Sequence, residues 1–370
     1  MTHYRRQDTP EPLEARLLGR IEGCTNPESA ELLSDGEHFV FGNCMLTVGI
    51  PTYRNGQGIV YKQGEAFISL GRLSRDGEVS LVSRRHIDGL TATLGIDILR
   101  KGTLNFPEGT AFIAEGGNPI LEDNDLVNPD RDAKPRLLAF DGLGAHIVGA
   151  VRLDTNSPIG RKFNRIDQPN GAAIDADGNL YVGDIPNGNP DADGPPPVPS
   201  AVYRIPHGTI DAIAAGDRQA AAAVTRIPMP GFVNGLTSSP LDDAIWAVSC
   251  SAHDPAGGGL YRLSPDDFAS GTLRDPVVRD IGLFLDGVGV TRRGTLLAST
   301  PITGEIHAFT VDGKHLTIKV GGENIVRMPA DFNVCYPAAT GGEPCLLVTD
   351  ISVGMPSGDG SVAVVEIPGL

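Results

Sequence analysis

Four segments of this chain place an acidic or amide side chain at the start of an apolar run: Asn26-Pro27-Glu28-Ser29, Pro169-Asn170-Gly171, Val233-Asn234-Gly235 and Leu285-Asp286-Gly287. The fullest copy continues through Ala172-Ala173-Ile174, an Asp177-Gly178 turn and a second apolar run, Leu180-Tyr181-Val182, that returns to Asp184. Asp-Gly between apolar runs is the strongest short hairpin signal. A hairpin sets the start of its first strand beside the end of its second. Repetition of the unit therefore sends Glu28, Asn170, Asn234 and Asp286 to one shared end of the fold.

Six passes of this unit fit the chain, with inner strands starting at Ser29, Gly95, Gly171, Gly235, Gly287 and Val334. The repeat length of roughly 50 to 75 residues, with several short strands per pass, predicts a six-bladed β-propeller as a single domain over residues 1–370. Gly58-Ile59-Val60-Tyr61, Ala201-Val202-Tyr203-Arg204-Ile205, Gly259-Leu260-Tyr261-Arg262-Leu263 and Glu305-Ile306-His307-Ala308-Phe309 read as outer strands. The 47 Gly and 29 Pro interrupt apolar runs of mostly four to eight residues, and only residues 210–223 suggest a helix. In the second pass, Leu94-Gly95-Ile96-Asp97-Ile98 and Pro107-Glu108-Gly109-Thr110-Ala111-Phe112 both resemble an inner strand. Residues 1–22 form an arm or closing strand, and either Leu13 to Arg20 or Ser361 to Ile367 completes the last blade.

A formal net charge of −16 argues against nucleic acid, whose phosphates require clustered Lys and Arg. The first residues lack a signal-peptide core, and no run of about 18 apolar residues exists, so a soluble, cytoplasmic protein without membrane contact is expected. The sequence leaves the oligomeric state open. Cys24, Cys44, Cys250, Cys335 and Cys345 form no CxxC pair, so they read as buried apolar residues rather than zinc ligands or a disulfide framework. Cys250, at a strand end beside the site with His253 near in sequence, is the one to weigh as a thiol nucleophile.

Glu28 and Asp286 supply two charges, and Asn170 and Asn234 add carbonyl oxygens without repulsion. One divalent cation suits such a set: calcium best, with zinc, magnesium or manganese possible if water completes the shell. A cation at the channel end suits polarisation of an ester or lactone carbonyl. The return strands end on the same face at Asn43, Glu115, Asp184, Cys250, Thr300 and Asp350, which nominates Asn43, Asp184, Cys250, Thr300 and the nearby His253 to bind a small-molecule substrate. The Pro-rich insertion 185–200 follows Asp184 and reads as a partial lid, and 117–134 can be read the same way. Arg100 and Lys101 meet an anionic substrate only if they do not lie in a hairpin turn.

The four motifs, with Gln168 and Phe232 preceding two of them and Phe332-Asn333-Val334-Cys335-Tyr336 as a final inner strand, resemble the senescence marker protein (regucalcin)/gluconolactonase family. That family has relatives among calcium-dependent organophosphorus hydrolases. The resemblance covers about residues 24–350. It implies that Glu28, Asn234 and Asp286 hold the metal, that Asn170 completes the shell or binds substrate, and that Asp286 is the catalytic base or nucleophile of a lactonase-like, metal-dependent hydrolase. Glu28-Ser29-Ala30-Glu31 departs from the family, many of whose members carry Trp shortly after the Glu. Two other classes use the same scaffold: a metal-dependent isomerase or carbon–carbon lyase, and a non-catalytic metal-binding propeller. Propellers resembling strictosidine synthase dispense with the metal altogether.

Overall fold

A computed structural model describes the chain except residues 1–3, 5, 8, 54–55, 62–63, 117–119, 123–124, 128–134, 164–165, 167, 186–199, 251–257, 283 and 354–357. Six four-stranded antiparallel blades surround a central channel, as the repeat predicts. From channel to rim, blade one comprises Pro27–Leu32, His38–Asn43, Ala66–Leu73 and Val79–Leu90, and blade two Thr93–Ile98, Thr110–Glu115, Arg136–Asp141 and His146–Arg152. Blade three contains Pro169–Ile174, Leu180–Asp184, Ala201–Ile205 and Thr225–Pro228. Phe232–Ser238, Ile245–Cys250, Gly259–Leu263 and Val278–Arg279 form blade four. Blade five follows with Val288–Val290, Leu296–Thr300, Glu305–Phe309 and His315–Val320.

Blade six resolves the closure. Both terminal segments enter it: Pro329–Cys335, Cys345–Asp350 and Gly360–Glu366 are joined at the rim by the N-terminal strand Arg16–Cys24. Just before that strand, Glu11–Glu14 pairs in parallel with His315–Val320 of blade five. The arm thus staples blades five and six.

Blades pack face to face, so their middle strands are covered on both sides. Leu296–Thr300 and Cys345–Asp350 are buried along their whole length, which is why they read as apolar runs rather than as alternating strands. The rim strand Val79–Leu90 is mostly exposed and rich in polar residues. Between blades one and six, Phe39, Phe41, Leu347, Val362 and Val364 share one apolar cluster with Ile21 of the closing strand. All five cysteines are buried and free. No helix among the described residues is long and apolar enough to cross a membrane.

Several expectations are corrected. Gly58 to Tyr61 is no blade strand; Ala66–Leu73 fills that place. The chain leaves blade one after Asn43, and Leu46–Tyr53 and Gly56–Tyr61 pair with Ile120–Glu122 and Asp125–Val127 from a second excursion after Glu115. This extra four-stranded sheet was hidden because its partners lie far apart in sequence, and it gives part of 117–134 strand structure where a loop was expected. Thr93–Ile98 is blade two's inner strand, and Pro107 precedes its second strand. Arg100 and Lys101 consequently lie in the turn at the opposite end from Glu28. Blade six's inner strand begins at Pro329, well before Val334. The 210–223 stretch holds only a short helix, Ile210–Ala214, and a 3-10 turn, Ala220–Ala223.

Candidate metal centre at the channel mouth

The inner strands enter the channel through a shared irregularity. Register slips between Pro27 and Ala30, Pro169 and Ala172, Val233 and Leu236, and Pro329 and Phe332. Such a bulge re-aims a side chain locally. In blades one, three and four the bulged residue is Glu28, Asn170 or Asn234; Asp286 has the same place, two residues before blade five's inner strand. Leu94 and Ala330 complete the level in blades two and six. In blades two to five the next residue is glycine, because the strands converge. A Cβ on Gly171 would strike the Asn234 carbonyl oxygen, and one on Gly235 would come within 2.5 Å of the Asp286 carbonyl oxygen.

Contacts between neighbouring blades close the ring. Asn170 Nδ2 donates to Asn234 Oδ1 at 2.5 Å, and Asn234 Nδ2 donates to the Leu285 carbonyl at 3.2 Å. Gly235 N donates to the Asp286 carbonyl at 2.9 Å. The Thr349 hydroxyl lies 2.9 Å from the Glu28 carbonyl and 2.7 Å from the Asp331 carbonyl, joining the first and last blades. The four residues picked from the sequence therefore share the mouth of one channel.

Their electrostatics are unfavourable without a counter-charge. Burial pushes the Glu28 carboxyl well above the usual carboxylate range, and Asp286 and Asp331 push it further. Burial does the same to Asp286, again helped by Asp331. Glu28 Oε2 is buried and lacks a hydrogen-bond partner. An orphaned, buried carboxylate oxygen at the same channel mouth as a second carboxyl and two amides offers hard oxygen donors that would suit a divalent cation. Among the described residues, no three His, Cys, Asp or Glu side chains are grouped to hold a metal, so a cation held here would have to draw on the carboxamides as well.

Three further carboxyls line the channel, and the repeat pattern does not mark them. Asp331 follows Ala330 in blade six, accepts from Phe332 N at 2.9 Å and Ser29 Oγ at 3.2 Å, and is pushed by burial up to about 7. Deeper in the channel, Glu31 accepts from Asn333 Nδ2 at 2.5 Å, and Asp97 accepts from Ile98 N at 2.7 Å and Ile174 N at 2.6 Å. The signal for Asp331 was Pro329, which opens its strand as Pro27 and Pro169 open theirs; starting the last repeat at Val334 passed over it.

The return-strand ends brace the rim from behind. Asn43 Oδ1 accepts from Thr25 N at 3.0 Å, and Glu115 Oε1 from Thr91 N at 2.9 Å. Asp184 Oδ1 accepts from Gln168 N at 2.9 Å, and Asp350 Oδ1 from Met328 N at 3.3 Å. Each bond ties down the loop that leads into the blade's own inner strand. The Thr300 hydroxyl donates to the Glu305 carbonyl at 3.2 Å. Cys250 is wholly buried, and burial raises its thiol far above the usual range, which opposes a thiolate nucleophile. His253 and nearly all of the 185–200 insertion lie outside the described residues.

No protein-family model matches this sequence, and no curated protein matches it significantly. Solved structures do match it. A gluconolactonase from Xanthomonas campestris aligns with a TM-score of 0.53 at 16% identity, covering 98% of this chain and 99% of its own. A second structure assigned as a gluconolactonase gives 0.53 at 15% identity over 96% and 92%. The calcium-binding protein regucalcin from Agrobacterium tumefaciens gives 0.51 at 14% identity over 97% and 95%. At these identities the likeness is one of fold, and the chain shares with these proteins a propeller matched over nearly its whole length.

Proposed function

We propose that this protein is a divalent-metal-dependent hydrolase of lactones or esters, with its active site at the channel mouth. The observation that carries the reading is the buried Glu28–Asp286 pair, with an orphaned Glu28 oxygen, at the same channel mouth as the hydrogen-bonded Asn170–Asn234 amide pair. Glu28, Asn170, Asn234 and Asp286 would hold the cation, calcium being the best match to an all-oxygen set. When bound, it supplies Lewis-acid polarisation of the substrate carbonyl and offsets the charge that develops on its oxygen.

The chain's own residues do the rest. Asp286, ionised once a cation balances Glu28, takes the proton from the attacking water or attacks as the nucleophile. The hydrogen bond from Asn170 and the one to Leu285 fix the orientation of the Asn234 amide, so the donor set is preorganised. Asn43 and Asp184 would serve substrate binding through the rim loops they support, Thr300 and Cys250 are proposed as further substrate-site positions at the ends of their strands, and His253 as a direct contact. Structures named gluconolactonase among the fold neighbours favour a small sugar lactone as the first substrate to try.

The decisive experiment is hydrolysis of a lactone panel before and after chelation. Activity lost with chelator and restored by calcium, zinc, magnesium or manganese supports the reading; full turnover in excess chelator refutes it.

A further inference from the structure

We propose that Asp331 is a positioning residue of the cation site: a third carboxylate, held beneath Glu28 and Asp286 by Ser29, that strengthens the hold on a divalent cation without coordinating it. This rests on the metal-site reading given above. At the level below the bulge, four blades carry Gly95, Gly171, Gly235 and Gly287, and blade one carries Ser29. Blade six alone brings a charge to that level. Its carboxylate is fixed on both oxygens, Oδ1 by Phe332 N at 2.9 Å and Oδ2 by Ser29 Oγ at 3.2 Å. Ser29 Oγ is itself held by Ile96 N at 3.3 Å.

This clamp spans blades six, one and two, and it keeps the carboxylate from swinging into the ligand shell. Its charge nevertheless acts at the mouth: the Thr349 hydroxyl bonds the Glu28 and Asp331 carbonyls together, and Asp331 pushes up both Glu28 and Asp286, as Asp286 does Glu28. No Lys, Arg or His among the described residues contributes to the balance at any of the three. A cation entering the mouth is therefore attracted by three carboxylates although only two can bind it, and Coulomb attraction at this range is weakly screened in a buried channel.

The test uses calorimetric calcium titration of the whole protein, parent against Asp331→Asn, which removes the charge but keeps the carboxamide oxygen for Phe332 N and turns the amide nitrogen toward the Ser29 hydroxyl as a donor. The expected result is a loss in calcium affinity of about 10- to 100-fold. In the same variant, the metal-free melting temperature should hold or rise, because one buried repulsion is gone. Asp331→Ser, which installs blade one's residue, should move both quantities the same way. Terbium luminescence lifetimes should report an unchanged number of bound waters in Asp331→Asn. Unaltered calcium affinity overturns the proposal, as does an extra bound water, which would make Asp331 a ligand. A fall in both affinity and metal-free melting temperature in both variants would reduce Asp331 to packing. A parent that binds no divalent cation sinks the metal-site reading as well, and so is distinguishable from failure of this inference alone.

Discussion

Deep in the channel, Glu31 and Asp97 are 8% and 6% exposed, hardly more than Glu28 at 5% and Asp286 at 4% at the mouth. Their surroundings differ. Asp97 receives two backbone N–H groups, Glu31 receives the Asn333 amide, and the Arg100 guanidinium eases the charge on both. At the mouth, Glu28 keeps an oxygen with no partner, and its charged neighbours are acidic. Burial of a carboxyl thus does not by itself mark a site. The deep pair, though burial raises it too, is hydrogen-bonded by the protein and ties strands together; the outer pair keeps an unpartnered oxygen that a bound cation would satisfy.

The largest effect should separate the two pairs by activity. Asp286→Asn is expected to lower lactone hydrolysis by about a thousandfold, the scale of losing a base or an electrostatic stabiliser, whereas Asp97→Asn should stay within about threefold of the parent. Equal losses in steady-state assays would erase the distinction between the two ends.

Stability should separate them the other way. Asp97→Ala leaves two buried N–H groups, those of Ile98 and Ile174, without an acceptor, at a cost of about 1–3 kcal/mol each. In metal-free protein Glu28→Gln should cost nothing or stabilise, since it removes a buried repulsive charge. Urea denaturation of both variants checks this.

A smaller effect lies in pH. Glu28, Asp286 and Asp331 have raised pKa values in the fold, against about 4 in the unfolded chain. Raised carboxyls favour the folded state fully below pH of about 4 and lose that contribution as pH climbs toward the folded values, about 7 for Asp331. Buried His307, lowered to about 4, works oppositely across part of this range: its contribution is full above its unfolded value and fades as pH falls. The clean measurement is the rise in melting temperature caused by calcium. It should grow between pH 5 and pH 8, from roughly 1 °C to several degrees, and a rise that is flat with pH would place calcium away from these carboxyls.

The smallest effect belongs to Cys250→Ser. It should keep metal-dependent activity within about twofold and cost about 1–2 kcal/mol for burying a hydroxyl. Loss of turnover with calcium binding intact would revive the thiol.

The sites of Glu28, Asn170, Asn234 and Asp286 were legible because each opens a local pattern, polar residue then apolar strand, that the chain repeats. Asp331 was not, because Pro329-Ala330-Asp331-Phe332 puts the acid one residue later than the other copies do. Position relative to a bulge is a property of strand pairing. Asn43, Asp184 and Thr300 were located at the correct end of their strands, but what their polar atoms bond to depends on loops from elsewhere in the chain.

The sequence alone determined the six-bladed ring and the polar residues of its mouth, since hairpin turns, apolar run lengths and repeat spacing are all local. Tertiary structure decided the rest. The extra sheet joins segments near residues 50 and 120, both terminal strands share the last blade, and the charge balance separates the Glu28 end of the channel from the Asp97 end. These are long-range pairings and burial, which arise only when distant segments meet.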